Sequence, residues 1–95
     1  MDNSSPDSVC ESFADLAETI TIRALEEGEV LVEGSAAALE FLGNLLLAQA
    51  RYRNDCGFHI SPAGAGSALF SPSSTLGIYI HRVPCAHGDA GRPAA

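Results

Sequence analysis

The sequence predicts an α+β domain of two layers, a four-stranded antiparallel sheet covered on one face by a single helix in the order β-β-α-β-β. Three observations predict it. Residues 18–33 alternate polar and apolar about a Glu-Glu-Gly break, residues 36–52 change to helical spacing, and the segment after Gly57 returns to alternation.

Each element has its own reason. Glu18-Thr19-Ile20-Thr21-Ile22-Arg23-Ala24-Leu25 is rich in β-branched residues and reads as a half-buried strand, Ile20 and Ile22 inward. Glu26-Glu27-Gly28 is a tight turn, and Glu29-Val30-Leu31-Val32-Glu33 is the return strand, with Val30 and Val32 expected inward. Ser35 is a natural N-cap for a helix from Ala36 to about Tyr52. Leu39, Leu42 and Leu46 are expected to form its inner stripe, and Asn54-Asp55 and Gly57 to stop it. Gly57 to Ser61 reads as a third strand, with Phe58 and Ile60 inward. A turn-rich connection, Pro62 to Ser74, then tucks Leu69-Phe70 back against the domain. Thr75 to Val83 is the fourth strand, with Ile78 and Ile80 inward, ended by Pro84.

Residues 1–15, with few large apolar groups, are expected to be a disordered acidic tail, residues 16–85 the single domain, and residues 86–95 a second disordered tail. A core of roughly 70 residues is marginal without staples or a partner, so a homodimer that extends the core is a live alternative.

The chain carries a net charge of −7, with five Arg and no Lys. Nucleic acid and anionic membranes are polyanions whose binders need basic patches, so neither is an expected partner. A small acidic protein suits a basic protein partner instead. The lack of Lys with abundant Ala and Gly hints at a high-GC bacterial source. No targeting segment or membrane span is visible. Cys10, Cys56 and Cys85 form an odd set, read as reduced thiols in a cytoplasmic protein.

Four groupings of residues bear on chemistry. Cys56, His59, His81 and Cys85, with His87, are zinc-ligand types on strands expected to be neighbours. Their spacing lacks the tight pairs of known zinc modules, and small half-buried thiols at strand ends explain them as well. No metal or cofactor is therefore assigned. His59, His81 and Tyr79 form a conceivable acid–base set, but an open sheet face cannot exclude water, so no catalytic residue is assigned and the chain is not read as an enzyme. Gly64-Ala65-Gly66 lacks the Lys and Ser/Thr of a phosphate loop. The acidic run Glu26-Glu27-x-Glu29, with Glu33 and Glu40 nearby, is either a solvated edge that deters stray pairing or a patch facing a basic partner.

Glu29-Val30-Leu31-Val32-Glu33-Gly34-Ser35 leads into the Leu-rich run Ala36 to Ala48. His59-Ile60-Ser61-Pro62 and Leu76-Gly77-Ile78-Tyr79-Ile80 follow. Across about residues 18 to 83 this succession resembles the immunity protein 32 family of bacterial polymorphic-toxin systems. The resemblance implies a cytoplasmic protein that binds and neutralises a toxin domain by direct contact, with no catalytic residues to carry over. The binding residues expected from the open sheet face and the acidic hairpin edge are Arg23, Glu29, Leu31, Glu33, His59, Tyr79 and His81. The alternative is a small homodimeric structural or accessory protein that self-associates through the same face. A metal-binding protein using the Cys/His cluster is third.

Overall fold

A computed structural model describes residues 5–85, and within them the chain is an α+β domain. Helix α1 (Pro6–Ala14) precedes β1 (Thr21–Ala24), β2 (Val30–Glu33), α2 (Ala36–Arg51), β3 (Gly57–Ile60) and β4 (Ile78–His81). One-turn 3₁₀ segments lie at Glu26–Gly28 and Ser67–Leu69. The strands form two separate two-stranded antiparallel sheets, β1-β2 and β3-β4. The expected single four-stranded sheet is therefore corrected.

The reason lies at the free edge of β1. The chain after the second 3₁₀ turn runs alongside that edge and takes its hydrogen bonds. Ile20 donates its N–H to the Leu69 carbonyl, and Ser71 N–H returns a bond to the Ile20 carbonyl, both at 2.9 Å. Ile22 donates to Ser74 Oγ at 3.1 Å and accepts from the N–H groups of Thr75 and Leu76. Thr75 Oγ1 accepts from Ala24 N–H, and the Thr21 and Ser71 hydroxyls bond each other. A serine- and threonine-rich segment thus stands where a third strand would have to dock. Side-chain oxygens satisfy part of the edge, which is the competition with ladders that Ser and Thr are built to offer.

A second correction concerns the amino-terminal segment. Residues 5–14 are not a tail: Ser5 caps α1, its Oγ accepting from Ser8 N–H while Ser8 Oγ accepts from Ser5 N–H, and Pro6 occupies the first turn. Val9 and Phe13 lie four residues apart on one face of the helix. Phe13 is 2 % exposed and stacks on Phe41 of α2, with ring centroids 4.3 Å apart. The expected carboxy-terminal tail, 86–95, lies outside the described residues.

The core comprises Phe13, Ile20, Ile22, Ala38, Phe41, Leu45, Ile60, Leu69 and Phe70, flanked by Phe58, Ile78 and Ile80. Ile20, Ile22, Ile60 and the tucked Leu69-Phe70 pair therefore lie where the sequence expects them. The inner stripe of α2 is rotated from that expectation. Ala38, Phe41, Leu45 and Ala48 are buried, whereas Leu39 and Leu46 are 47 % and 48 % exposed. The helix is apolar around most of its circumference, and the unanticipated α1 claims the Phe41 side. The inward expectation for Val30 and Val32 also fails, at 55 % and 37 % exposed. Val32 lies directly opposite Ile22 on the same sheet face, but among the described residues nothing covers β2 as the core covers β1.

Two features hold the far end together. Cys56 and Cys85 form a disulfide, Cα atoms 5.8 Å apart, closing a loop of sequence separation 29. The expectation of three reduced thiols is thereby corrected for two of them; Cys10 is free. Arg82 turns its Nη1 onto the carbonyls of Gln49 at 3.1 Å and Tyr52 at 2.6 Å. It supplies the positive charge that the C-terminal end of α2 prefers. At Gly77 the chain passes so close to the Ile60 carbonyl that a side chain has no room there.

Candidate protein-recognition surface

The β1-β2 hairpin closes through Leu25 N–H donating to the Glu29 carbonyl at 2.7 Å. Its turn places both Glu27 (φ 67°) and Gly28 (φ 84°) in the left-handed region, free for glycine but unfavourable for glutamate. The register pairs Thr21 with Glu33, Ile22 with Val32, Arg23 with Leu31 and Ala24 with Val30. In an antiparallel ladder, hydrogen-bonded and non-bonded pairs alternate. Both main-chain groups of Ile22 bond the 74–76 segment, so Ile22–Val32 is a non-bonded pair. It follows that Leu31 and Glu33 direct their N–H and C=O toward β1, while those of Val30 and Val32 point outward. Among the described residues no hydrogen bond reaches that outer edge. The hairpin therefore has one occupied edge, β1, and one open edge, β2.

The same register gathers four of the expected binding residues. Arg23, Leu31 and Glu33 share one face of the hairpin with Glu29, the face away from Ile22. Arg23, Glu29 and Glu33 are exposed and Leu31 is half-buried. With Glu26 and Glu27 at the turn, the edge carries four carboxylates against one guanidinium, Arg23. Glu18 lies at the opposite end of the hairpin, beyond the Thr21–Glu33 pair, accepting a hydrogen bond from the Ser35 hydroxyl that caps α2.

The remaining three expected residues lie on the other sheet. His59 pairs across the ladder with Tyr79, ring centroids 6.2 Å apart edge to face, and Tyr79 stacks on His81 at 6.0 Å. Tyr79 and His59 are exposed, and the pocket beside them is a shallow depression. His81 Nε2 and Gln49 Oε1 are buried without a hydrogen-bond partner among the described residues. Because β3-β4 does not extend β1-β2, the seven residues form two surfaces rather than one continuous face.

The Cys/His candidate is corrected by the disulfide. Cys56 and Cys85 are bonded to each other, so neither offers a thiolate to a metal. Among the described residues no group of three or more His, Cys, Asp and Glu is placed to hold a metal ion, and His87 lies outside them. Cys10, missed as a site in sequence, is half-buried. Burial first, then the carboxylates of Asp7 and Glu11, pushes its thiol up to about 11, so it stays protonated and a poor nucleophile at neutral pH. No helix of the described residues is long and apolar enough to cross a membrane.

Sequence reasoning offered the acidic hairpin edge beside the open face but not which edge of the hairpin is unoccupied. That becomes visible only once Ser71, Ser74 and Thr75 are known to occupy the opposite edge. Comparison with known proteins places the chain in no group: no family model, curated protein or solved structure matches it.

Proposed function

We propose that this chain is a protein-recognition module that captures an extended, basic segment of a partner protein along the open edge of β2. One observation carries the reading: the outward N–H and C=O groups of Val30 and Val32 have no partner among the described residues, while glutamates flank them on the strand and at the turn. An unpaired edge supplies main-chain hydrogen bonds to an added strand, and alternate side chains supply selectivity. The carboxylates set the sign of that selectivity and speed encounter.

The acidic flank also argues against the bland outcome of the edge pairing with itself. Two copies of β2 aligned antiparallel about Leu31 would set Glu29 of each against Glu33 of the other, and like charges directly opposite destabilise a sheet. The edge repels its own kind and suits a strand bearing Arg or Lys. Toxin neutralisation by direct contact is the particular form of this function that the resemblance to immunity protein 32 motivates. The Cys56–Cys85 bond removes the ground for a cytoplasmic setting and favours an oxidising compartment.

A calorimetric titration tests the reading, using a peptide of alternating Arg and Val as probe. Saturable binding should weaken at least about tenfold in the charge-reversed variant E29K/E33K and at high salt. A peptide of alternating Glu and Val should not bind. Equal affinity for both peptides, or an unchanged affinity in the variant, sinks the proposal.

A second reading, self-association, rests on a different observation. Leu39, Leu46 and Leu47 of α2 are each about half exposed, an unusual apolar exposure for a small acidic chain. Sedimentation equilibrium decides it. A dimer that survives high salt and dissociates in Leu39→Glu supports this reading, and a monomer at all concentrations ends it.

A further inference from the structure

Between α1 and α2 lies a groove of 600 Å³, within the range that small-molecule sites occupy. Its walls are chemically asymmetric along α2. Val9, Leu16 and Leu47 supply apolar surface over the buried Phe13, and the α2 wall includes Glu40 and Arg51, with Arg53 just beyond. Eleven residues of helix separate Glu40 from Arg51 by about 16 Å, so one end of the groove is acidic and the other doubly basic.

The two arginines are uncommitted. The chain has twelve acids, yet neither the Arg51 nor the Arg53 guanidinium has an ion-pair or hydrogen-bond partner among the described residues. An arginine near a helix C-terminus ordinarily answers the exposed carbonyls there. In this fold that role belongs to Arg82, whose Nη1 holds the Gln49 and Tyr52 carbonyls. Two guanidiniums are therefore left over at the mouth of an apolar groove, in a protein whose overall charge would be expected to pair them.

We propose that this groove binds a small carboxylate with an aliphatic body, the carboxylate held by Arg51 and Arg53 and the body laid along Val9, Leu16 and Leu47. A guanidinium matches a carboxylate in a two-pronged, charge-assisted geometry, which an ammonium cannot do. Glu40 at the opposite end fixes the direction of entry by repelling the ligand's head group. The site is separate from the β2 edge, and its failure leaves the peptide-binding proposal standing.

Octanoate, with 1-octanol as the uncharged analogue, is a suitable probe pair. Adding octanoate to nitrogen-labelled protein should shift the amide resonances of Ser8, Ser12, Leu47 and residues 51–54 saturably, leaving Val30 and Val32 unmoved. The alcohol should bind at least about tenfold more weakly, and R51Q/R53Q should lower octanoate to the alcohol's level. Arg51 and Arg53 are both exposed, so the variant's far-ultraviolet circular dichroism should match the parent's. A third variant, Leu47→Asn, should weaken both probes together. Equal binding of acid and alcohol, unchanged octanoate affinity in R51Q/R53Q, or shifts centred outside the groove would overturn the assignment.

Discussion

The two hairpins have the same four-residue strands and the same antiparallel pairing, yet they are finished in opposite ways. In β3-β4 the ends are fastened: the disulfide joins Cys56 to Cys85 just outside the two strands, Arg82 N–H bonds the Cys56 carbonyl at 2.8 Å, and the Arg82 side chain grips the end of α2. In β1-β2 a short local turn joins the strands, β1 is bonded on both edges and buried at Thr21 and Ile22, and β2 largely faces solvent. The difference teaches that regular strand pairing alone does not mark a completed structure. An edge left open beside one carefully filled is a feature that pairing with another chain can use.

The largest test of this contrast removes the fastening. Replacing both cysteines, C56S/C85S, should lower stability by about 3 to 4 kcal/mol from the loop-closure term alone. Chemical denaturation followed by tryptophan-free probes such as circular dichroism reads it. A change below about 1 kcal/mol would mean that the β3-β4 end does not depend on the bond.

Next in size is a pair of substitutions at one rung. Ile22→Ala should cost about 3 kcal/mol, since its side chain is 2 % exposed in the core. Val32→Ala, directly across the ladder, should cost less, about 1 kcal/mol, because that side chain is already partly in water. Comparable losses would show that β2 is covered, contradicting an open edge.

Smaller still is the hairpin turn. Glu27→Gly should raise stability by about 0.5 to 1 kcal/mol, because glycine tolerates the left-handed backbone that glutamate is forced to adopt there. Destabilisation would mean that the Glu27 side chain contributes more than its backbone strain removes.

Cys10 has the smallest effect at neutral pH and a clear pH signature above it. Its folded pKa of about 11 lies above the ordinary thiol value, so the protonated form is favoured by folding. Any stability from it is present below pH 9 and declines as pH rises from about 9 toward 11. Alkylation of the folded protein by iodoacetamide should accordingly be slow at pH 8 and accelerate up to about pH 11. Rapid labelling at neutral pH would contradict a desolvated thiol flanked by Asp7 and Glu11.

The legible parts of this fold were those fixed by local pattern. Ile20 and Ile22, the Ser35 cap, the span of α2 and the burial of Leu69-Phe70 follow from spacing and capping chemistry that needs no knowledge of distant segments. The illegible parts all depend on which surfaces meet. α1 was hidden because Ser, Asp and Pro dominate its composition, although Ser5-Pro6 with Ser8 is a capping signal and Val9 and Phe13 stand one turn apart. The facing of α2 was ambiguous because leucine and alanine lie on nearly every side of it. The separation of the sheets follows from hydroxyls of Ser71 and Ser74 meeting β1, a long-range contact that alternation cannot reveal. For the site, the acidic character of Glu29 and Glu33 was readable in sequence, whereas the open edge between them was not.

Amide hydrogen exchange at single-residue resolution tests the central claim most directly. In the free protein, the Leu31 and Glu33 amides should be protected while those of Val30 and Val32 exchange rapidly. On adding the alternating Arg/Val peptide, Val30 and Val32 should become protected and the β3-β4 amides should not change. If Val30 and Val32 are already protected in the free protein, or stay unprotected while the peptide is bound, β2 is not the recognition edge.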